Sequence, residues 1–197
     1  MATLKFLCDT ERCIECNGCV VGCKNKNDTA VEWGIQRRRV VTLNDGIFGE
    51  EVSISVACMH CADAPCMAVC PADCFVQTDE GLILHSKEKC IGCGYCLYAC
   101  PFGAPQFPKS GTFAKRGKMD KCTYCAGGPD AEPFTEKELE LYGVNRLAEG
   151  KLPFCAEICA TKSLLAGDAQ VIADVYRQRV TLRGAANAGW APNKEGL

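Results

Sequence analysis

Cys90-Ile91-Gly92-Cys93-Gly94-Tyr95-Cys96-Leu97-Tyr98-Ala99-Cys100-Pro101 spaces four cysteines as C-x2-C-x2-C-x3-C and closes them with a proline. Outward from this stretch the pattern recurs. Cys13, Cys16, Cys19 and Cys23 have the same spacing 77 residues earlier. Cys58, Cys61, Cys66 and Cys70 widen the second gap to four residues, and Cys70-Pro71 repeats the ending. The fourth group is split: Cys122 and Cys125, then twenty-nine residues, then Cys155 and Cys159. Cys8 and Cys74 complete the eighteen cysteines and fall outside these spacings. The recurrence at fixed order predicts an internal duplication of a two-group unit.

The chemistry follows from what four thiolates at these intervals can hold. A cubane cluster takes three thiolates from one curled loop at i, i+3 and i+6, and a fourth from elsewhere. In two-cluster ferredoxins the last cysteine of each run serves the other cluster. Structural zinc also uses C-x2-C pairs, but it has no use for a repeated triplet plus a distant fourth ligand. The four groups therefore predict four [4Fe–4S] clusters on sixteen cysteines. Cys8 and Cys74 are expected to be packing residues, since unligated cysteine is among the most buried residue types. Both histidines, His60 and His85, are unneeded as ligands. His60, between Cys58 and Cys61, is expected either to hydrogen-bond a sulfur or to lie at the surface.

Composition bounds the rest. The 197 residues are 48% apolar with a formal charge of −2, which suits one globular domain or two small intertwined ones. Without an excess of Lys and Arg there is no reason to expect nucleic acid. The one basic run, Arg37-Arg38-Arg39, predicts a solvated or salt-bridged strand face, with docking onto an acidic partner as the alternative. Met1 to Cys8 carries no long apolar stretch, so no signal peptide or twin-arginine leader is expected and any export would ride on a partner. Cys90 to Pro108 runs without a formal charge, but its three prolines, three glycines and four cysteines argue against a membrane span, and polar Arg183–Leu197 supplies none. No G-x-G-x-x-G, P-loop, H-E-x-x-H or nucleophile elbow is present, so no substrate chemistry is encoded in the chain.

Regular structure is expected between the groups, because a C-x2-C-x2-C stretch that curls round a cluster cannot continue as a helix or strand. Gln36–Leu43 and Glu51–Ala57, rich in Val, Ile and Thr, flank Asn44-Asp45-Gly46 and predict an antiparallel hairpin. A smaller hairpin is predicted from Cys74–Val76 and Leu82–Leu84 about Asp79-Glu80-Gly81. Thr135-Glu136-Lys137-Glu138 is a capping box opening a helix with Leu139, Leu141, Tyr142 and Leu147 on one face and Gly150 as its stop. A last helix starts after Asp168 and runs through Val171, Ile172, Val175 and Tyr176. The fold class is α+β: tandem, duplicated bacterial-ferredoxin-like units, loop-rich around the clusters, with short antiparallel hairpins and few helices.

The four-group order, Cys58-Met59-His60-Cys61 with Ala64-Pro65-Cys66, and Cys90 through Pro101-Phe102-Gly103 resemble the four-cluster (beta) subunits of molybdopterin oxidoreductases over nearly the whole chain. Lys118-Met119-Asp120-Lys121-Cys122-Thr123-Tyr124-Cys125-Ala126-Gly127-Gly128-Pro129 and Asn145–Pro153 look most like formate dehydrogenase beta subunits. The spacings alone leave open which groups pair; the resemblance implies that group one pairs with four and two with three. It places Cys13, Cys16, Cys19 and Cys159 on one cluster; Cys122, Cys125, Cys155 and Cys23 on a second; Cys58, Cys61, Cys66 and Cys100 on a third; and Cys90, Cys93, Cys96 and Cys70 on a fourth. The implied units are 1–50 with 110–197, and 51–109. All sixteen positions are cysteine, where some nitrate-reductase relatives have tryptophan, so four cubanes are implied. The resemblance further implies electron transfer without catalysis, a molybdopterin-containing catalytic alpha subunit as partner and a cytochrome b gamma subunit as a further one. It also implies periplasmic location by co-export with a twin-arginine partner, or else the cytoplasm. The equivalent subunit of a polysulfide, dimethyl sulfoxide or nitrate-type reductase is the alternative.

Overall fold

The computed structural model describes residues 3–27, 35–109 and 115–187. Its strands are β1 (Leu4–Cys8), β2 (Arg38–Leu43), β3 (Val52–Ala57), β4 (Phe75–Gln77), β5 (Ile83–His85) and β6 (Leu164–Asp168). They form three two-stranded antiparallel sheets, β1–β6, β2–β3 and β4–β5. The helices are α1 (Gly18–Lys26), α2 (Pro65–Ala68), α3 (Tyr95–Ala99), α4 (Glu136–Tyr142), α5 (Phe154–Glu157) and α6 (Ala169–Asn187). This is the expected α+β class: short strand pairs, few helices and long loops.

Both predicted hairpins form, with Leu43 opposite Val52 in one and Gln77 opposite Ile83 in the other. The chain leaves β2 at Asn44, whose φ of 55° only a few side chains tolerate, and turns twice before β3, with Ile47 N donating to Asn44 O and Glu50 N to Ile47 O. The line between residues 50 and 51 falls inside this connection. Half of the capping box forms: Thr135 Oγ1 accepts from Glu138 N at 3.2 Å, but Thr135 N donates to Glu132 O and the Glu138 carboxylate accepts from Phe134 N instead. Its helix is shorter than expected, however. Gly143, at φ 83°, ends α4 at Tyr142, so Leu147 lies outside it and Gly150 is not its stop. Nor is its inward face apolar: Tyr142 and Glu138 are buried while Leu139 is half exposed. Asp168 Oδ1 caps α6 by accepting from Gln170 N and Val171 N, and Ile172 is buried.

Pairing of β1 with β6 joins segments about 160 residues apart in sequence. Tyr124, fully buried, stitches this sheet from behind: its hydroxyl donates to Lys5 O at 2.9 Å and accepts from Gly167 N at 2.7 Å. Asp9 ties α6 to the same region by accepting from Arg183 Nη2 at 2.6 Å and Arg179 Nη1 at 3.3 Å. The core itself is made of cysteines and their neighbours. One buried group joins Cys66, Cys74, Cys90 and Cys96 with Phe75, Ile83 and Met119. A second joins Cys19 and Cys155 with Leu82, Tyr124 and Leu164, and a third joins Cys58 to Cys122. Among the described residues no helix is long and apolar enough to cross a membrane, and Cys90–Pro108 forms loop with one short helix. Most of the polar stretch 183–197 lies outside the described residues.

Candidate metal centres

The curl of each C-x2-C pair has one physical origin. The residue before the second cysteine takes a positive φ in all four groups: Glu15 at 55°, His60 at 46°, Gly92 at 71° and Tyr124 at 62°. Asn17 and Gly94, one residue past the second cysteine of groups one and three, are left-handed as well and start α1 and α3. Only two of these six positions are glycine. Left-handed backbone costs other residues roughly 1–2 kcal/mol each, so the loops are held by their surroundings.

Beyond the curl the chain does what the sequence reading excluded and becomes helical. Cys19 and Cys23 lie in α1, Cys66 in α2, Cys96 in α3 and Cys155 in α5. A helix suits the task because residues three or four apart share a face. The turn that carries one group's inward sulfur therefore also delivers its last cysteine. The helices pack in pairs, α1 on α5 and α2 on α3. Gly22 makes the first approach possible, since a Cβ there would stand 3.0 Å from the Phe154 ring.

These pairings bring cysteines from separate groups around common spaces. Cys70, Cys90, Cys93 and Cys96 line one cavity. Cys58, Cys61, Cys66 and Cys100 line a second, and Cys23, Cys122, Cys125 and Cys155 a third. Cys13 and Cys19 lie within electrostatic reach of Cys159, with Cys16 exposed at the surface. Among the described residues, no three Cys, His, Asp or Glu side chains converge on a point as a single ion requires. Sulfurs ringed around a common space, rather than meeting at a point, are the donor set a cubane needs.

The sulfurs are also supplied with hydrogen-bond donors. Cys74 N donates to Cys70 Sγ at 3.3 Å and Ala104 N to Cys100 Sγ at 3.4 Å, the same i+4 contact after each Cys-Pro. Met119 N donates to Cys90 Sγ, Tyr124 N to Cys122 Sγ and Leu164 N to Cys159 Sγ, at 3.4, 3.4 and 3.5 Å. Burial pushes the Cys23 and Cys96 thiols up to about 12 and Cys66 to about 11. At neutral pH such sulfurs ionise only when a metal takes them.

Three residues the sequence reading undervalued surround these sulfurs. Arg37 and Arg38, expected on a solvated or salt-bridged strand face, are buried, and Arg39 is half-buried, donating to Phe102 O. Arg37 grips Asp120 with two bonds of 2.7 and 2.9 Å and donates to Tyr142 O at 2.6 Å. Lys121 is fully buried in the wall beside Cys58, Cys61, Cys66 and Cys100, its ammonium donating to Ile83 O and Cys122 O. The alternation of side chains along β2 was the available signal for Arg38, but charge argued against it. Cys74 is buried as expected, yet it stands in the wall with Cys70, Cys90, Cys93 and Cys96. Cys8 Sγ accepts from Ser55 N at 3.4 Å.

The surface expectation for His60 fails. It is buried, and its Nδ1 accepts from Ile83 N at 3.0 Å, so the imidazole fastens β5, while its buried Nε2 has no hydrogen-bond partner among the described residues. Burial, with Lys121 and Lys5 nearby, holds its pKa well below the usual value. His85 is buried too, edge-on to Tyr142 at 5.5 Å.

Comparison with known proteins agrees with this geometry. Residues 51–132 match the model of a 4Fe-4S dicluster domain. The chain is 62% identical over 187 residues to the formate dehydrogenase iron-sulfur subunit of Wolinella succinogenes, covering 95% of this chain and 92% of that one. It is 32% identical over 192 residues to a thiosulfate reductase electron transfer subunit of Salmonella typhi, covering 91% and 88%. It is 31% identical over 169 residues to the B subunit of the anaerobic dimethyl sulfoxide reductase of Escherichia coli, covering 81% and 70%. With sixteen cysteines in four groups and these relatives along most of its length, the chain belongs to the family of iron–sulfur electron-transfer subunits of oxidoreductases.

Proposed function

We propose that this chain is the electron-transfer subunit of a molybdenum or tungsten formate dehydrogenase, carrying electrons between a molybdopterin-containing catalytic subunit and a cytochrome b or other acceptor. The observation that carries the reading is the trio of cavities, each walled by four cysteines drawn from two groups, with Cys74 as a fifth in one of them. It supports four ligand sets: Cys13, Cys16, Cys19 and Cys159; Cys23, Cys122, Cys125 and Cys155; Cys58, Cys61, Cys66 and Cys100; Cys70, Cys90, Cys93 and Cys96. The identity of 62% to a formate dehydrogenase subunit supports the choice of complex. On this reading, residues 1–50 with 110–197 hold the first two sets and 51–109 the others.

A [4Fe–4S] cluster supplies one-electron transfer when bound. The residues of this chain set the order and the insulation. Cys19 shares a buried group with Cys155, Cys58 with Cys122, and Cys66 with Cys90 and Cys96, which supports a linear sequence of the four sets. Packed apolar side chains between them exclude water. Exposed Cys16 with Ile14, and exposed Ile91 with Tyr95, bring the two ends of that sequence to the surface, where partners would dock.

Copurification tests the assignment: the associated large subunit should contain molybdopterin and oxidise formate with transfer of electrons to this chain. A large subunit that instead reduces sulfur or nitrogen oxides without formate activity would favour the reductase alternative, which the relatives at 31–32% identity support. Periplasmic location by co-export with the partner is part of the same proposal, and fractionation of intact cells distinguishes it from the cytoplasm.

A further inference from the structure

The residue that stands out is Arg38. Its guanidinium is 2% exposed and carries a permanent charge. Nη1 donates to Ser55 Oγ at 3.0 Å, but Nε and Nη2 have no hydrogen-bond partner, and among the described residues no carboxylate pairs with it. The plane rests against the Phe6 ring at 4.3 Å. It lines the same cavity as Cys23, Cys122, Cys125 and Cys155. The other arginine there, Arg37, is already neutralised by Asp120. A buried, uncompensated cation is costly, and it persists where a buried anion faces it.

We propose that Arg38 is a positioning and tuning residue: it raises the reduction potential of the cluster held by Cys23, Cys122, Cys125 and Cys155. This rests on the ligand sets proposed above. Each electron arriving from an adjacent cluster oxidises that neighbour by one unit and adds one negative charge here. A fixed positive charge in a medium of low dielectric stabilises the reduced form. No proton accompanies the electron, because a guanidinium does not release one in this range. Ser55 adds a lesser link, its Oγ also lying 3.3 Å from Cys19 Sγ, so the cluster of Cys13, Cys16, Cys19 and Cys159 feels the same cation more weakly.

The test is an EPR-monitored redox titration of the purified complex carrying Arg38→Gln or Arg38→Lys, with iron counted in each. In the Gln variant one of four midpoint potentials should fall by at least a tenfold change in its reduction equilibrium, about 59 mV for a one-electron couple. The Lys variant, which keeps the charge, should move less than half as far. Full iron with four unchanged potentials overturns the proposal, and so does an equal shift in both variants, which would mark a packing effect. Independently of whether the Gln variant assembles, wild-type protein labelled with 15N in the arginine guanidino groups should show a nitrogen hyperfine coupling to a reduced cluster that Arg38→Lys abolishes. No coupling overturns the proposal. A wild-type iron count well below four clusters would instead defeat the ligand sets.

Discussion

Asp120→Asn tests the packing that holds the second and third cysteine sets in register. Asp120 is 1% exposed, and its carboxylate receives two bonds from Arg37 and stands 3.0 Å from Lys87 Nζ. Burial alone would raise its pKa, but Arg37 and Lys87 hold it well below the usual carboxylate range. The backbone on either side is tied down as well: Gln106 and Asp120 exchange N–H···O bonds of 2.8 Å, and Lys121-Cys122 follows directly. Replacing the carboxylate by an amide removes the charge that neutralises two buried or half-buried cations. It also turns one amide N–H₂ toward donors that have no use for it. Breaking a buried pair in this way costs about 3–5 kcal/mol. Against a net stability of about 5–15 kcal/mol that is a large fraction. The assay is a guanidinium titration of anaerobically purified protein, read by far-UV circular dichroism as a midpoint shift at constant slope. Removing both charges, with Arg37→Met and Asp120→Leu together, should cost less than Asp120→Asn alone. A single variant within about 1 kcal/mol of wild type would refute the reasoning.

Gly128→Ala would place a Cβ 2.3 Å from the buried Tyr142 ring, whose hydroxyl is fixed by Asp130 and Lys87 N, so it should lower stability by at least about 1–3 kcal/mol in the same titration. Burial pushes the pKa of His85 down to about 4, against about 6.5 in an unfolded chain. Between those values the unfolded state binds the extra proton. Stability should therefore fall by roughly 3 kcal/mol as pH drops through that window, and His85→Gln should lack that part of the slope. Asp120 adds its own loss only below about pH 4. Cys93→Ser should leave about twelve irons per chain with altered cluster spectra, whereas Cys74→Ala should keep about sixteen by the same analysis.

Local order was legible where local chemistry decides it. Asn44-Asp45-Gly46, Asp79-Glu80-Gly81, the Thr135 N-cap and the Asp168 cap all act within a few residues, and each appears where the sequence puts it. The β1–β6 sheet was not visible, because its partners are separated by nearly the whole chain and Leu4–Cys8 alone carries little pattern. The helices inside the cysteine groups were missed for a different reason. Their apolar face is made of cysteines, which were counted as ligands rather than as the buried side of a turn. The buried Arg37, Arg38 and Lys121 reverse the usual rule for charge, and the reason lies in what surrounds them: a carboxylate for one, and walls of ionisable sulfur for the others.

The central claim is that sixteen of the eighteen cysteines hold four cubanes. Iron and acid-labile sulfide determined on anaerobically purified complex test it most directly. About sixteen of each per chain of this type, with four reducible components in the EPR titration, is the predicted result. Stoichiometric zinc without sulfide, or iron for fewer than four clusters in fully assembled protein, would contradict it.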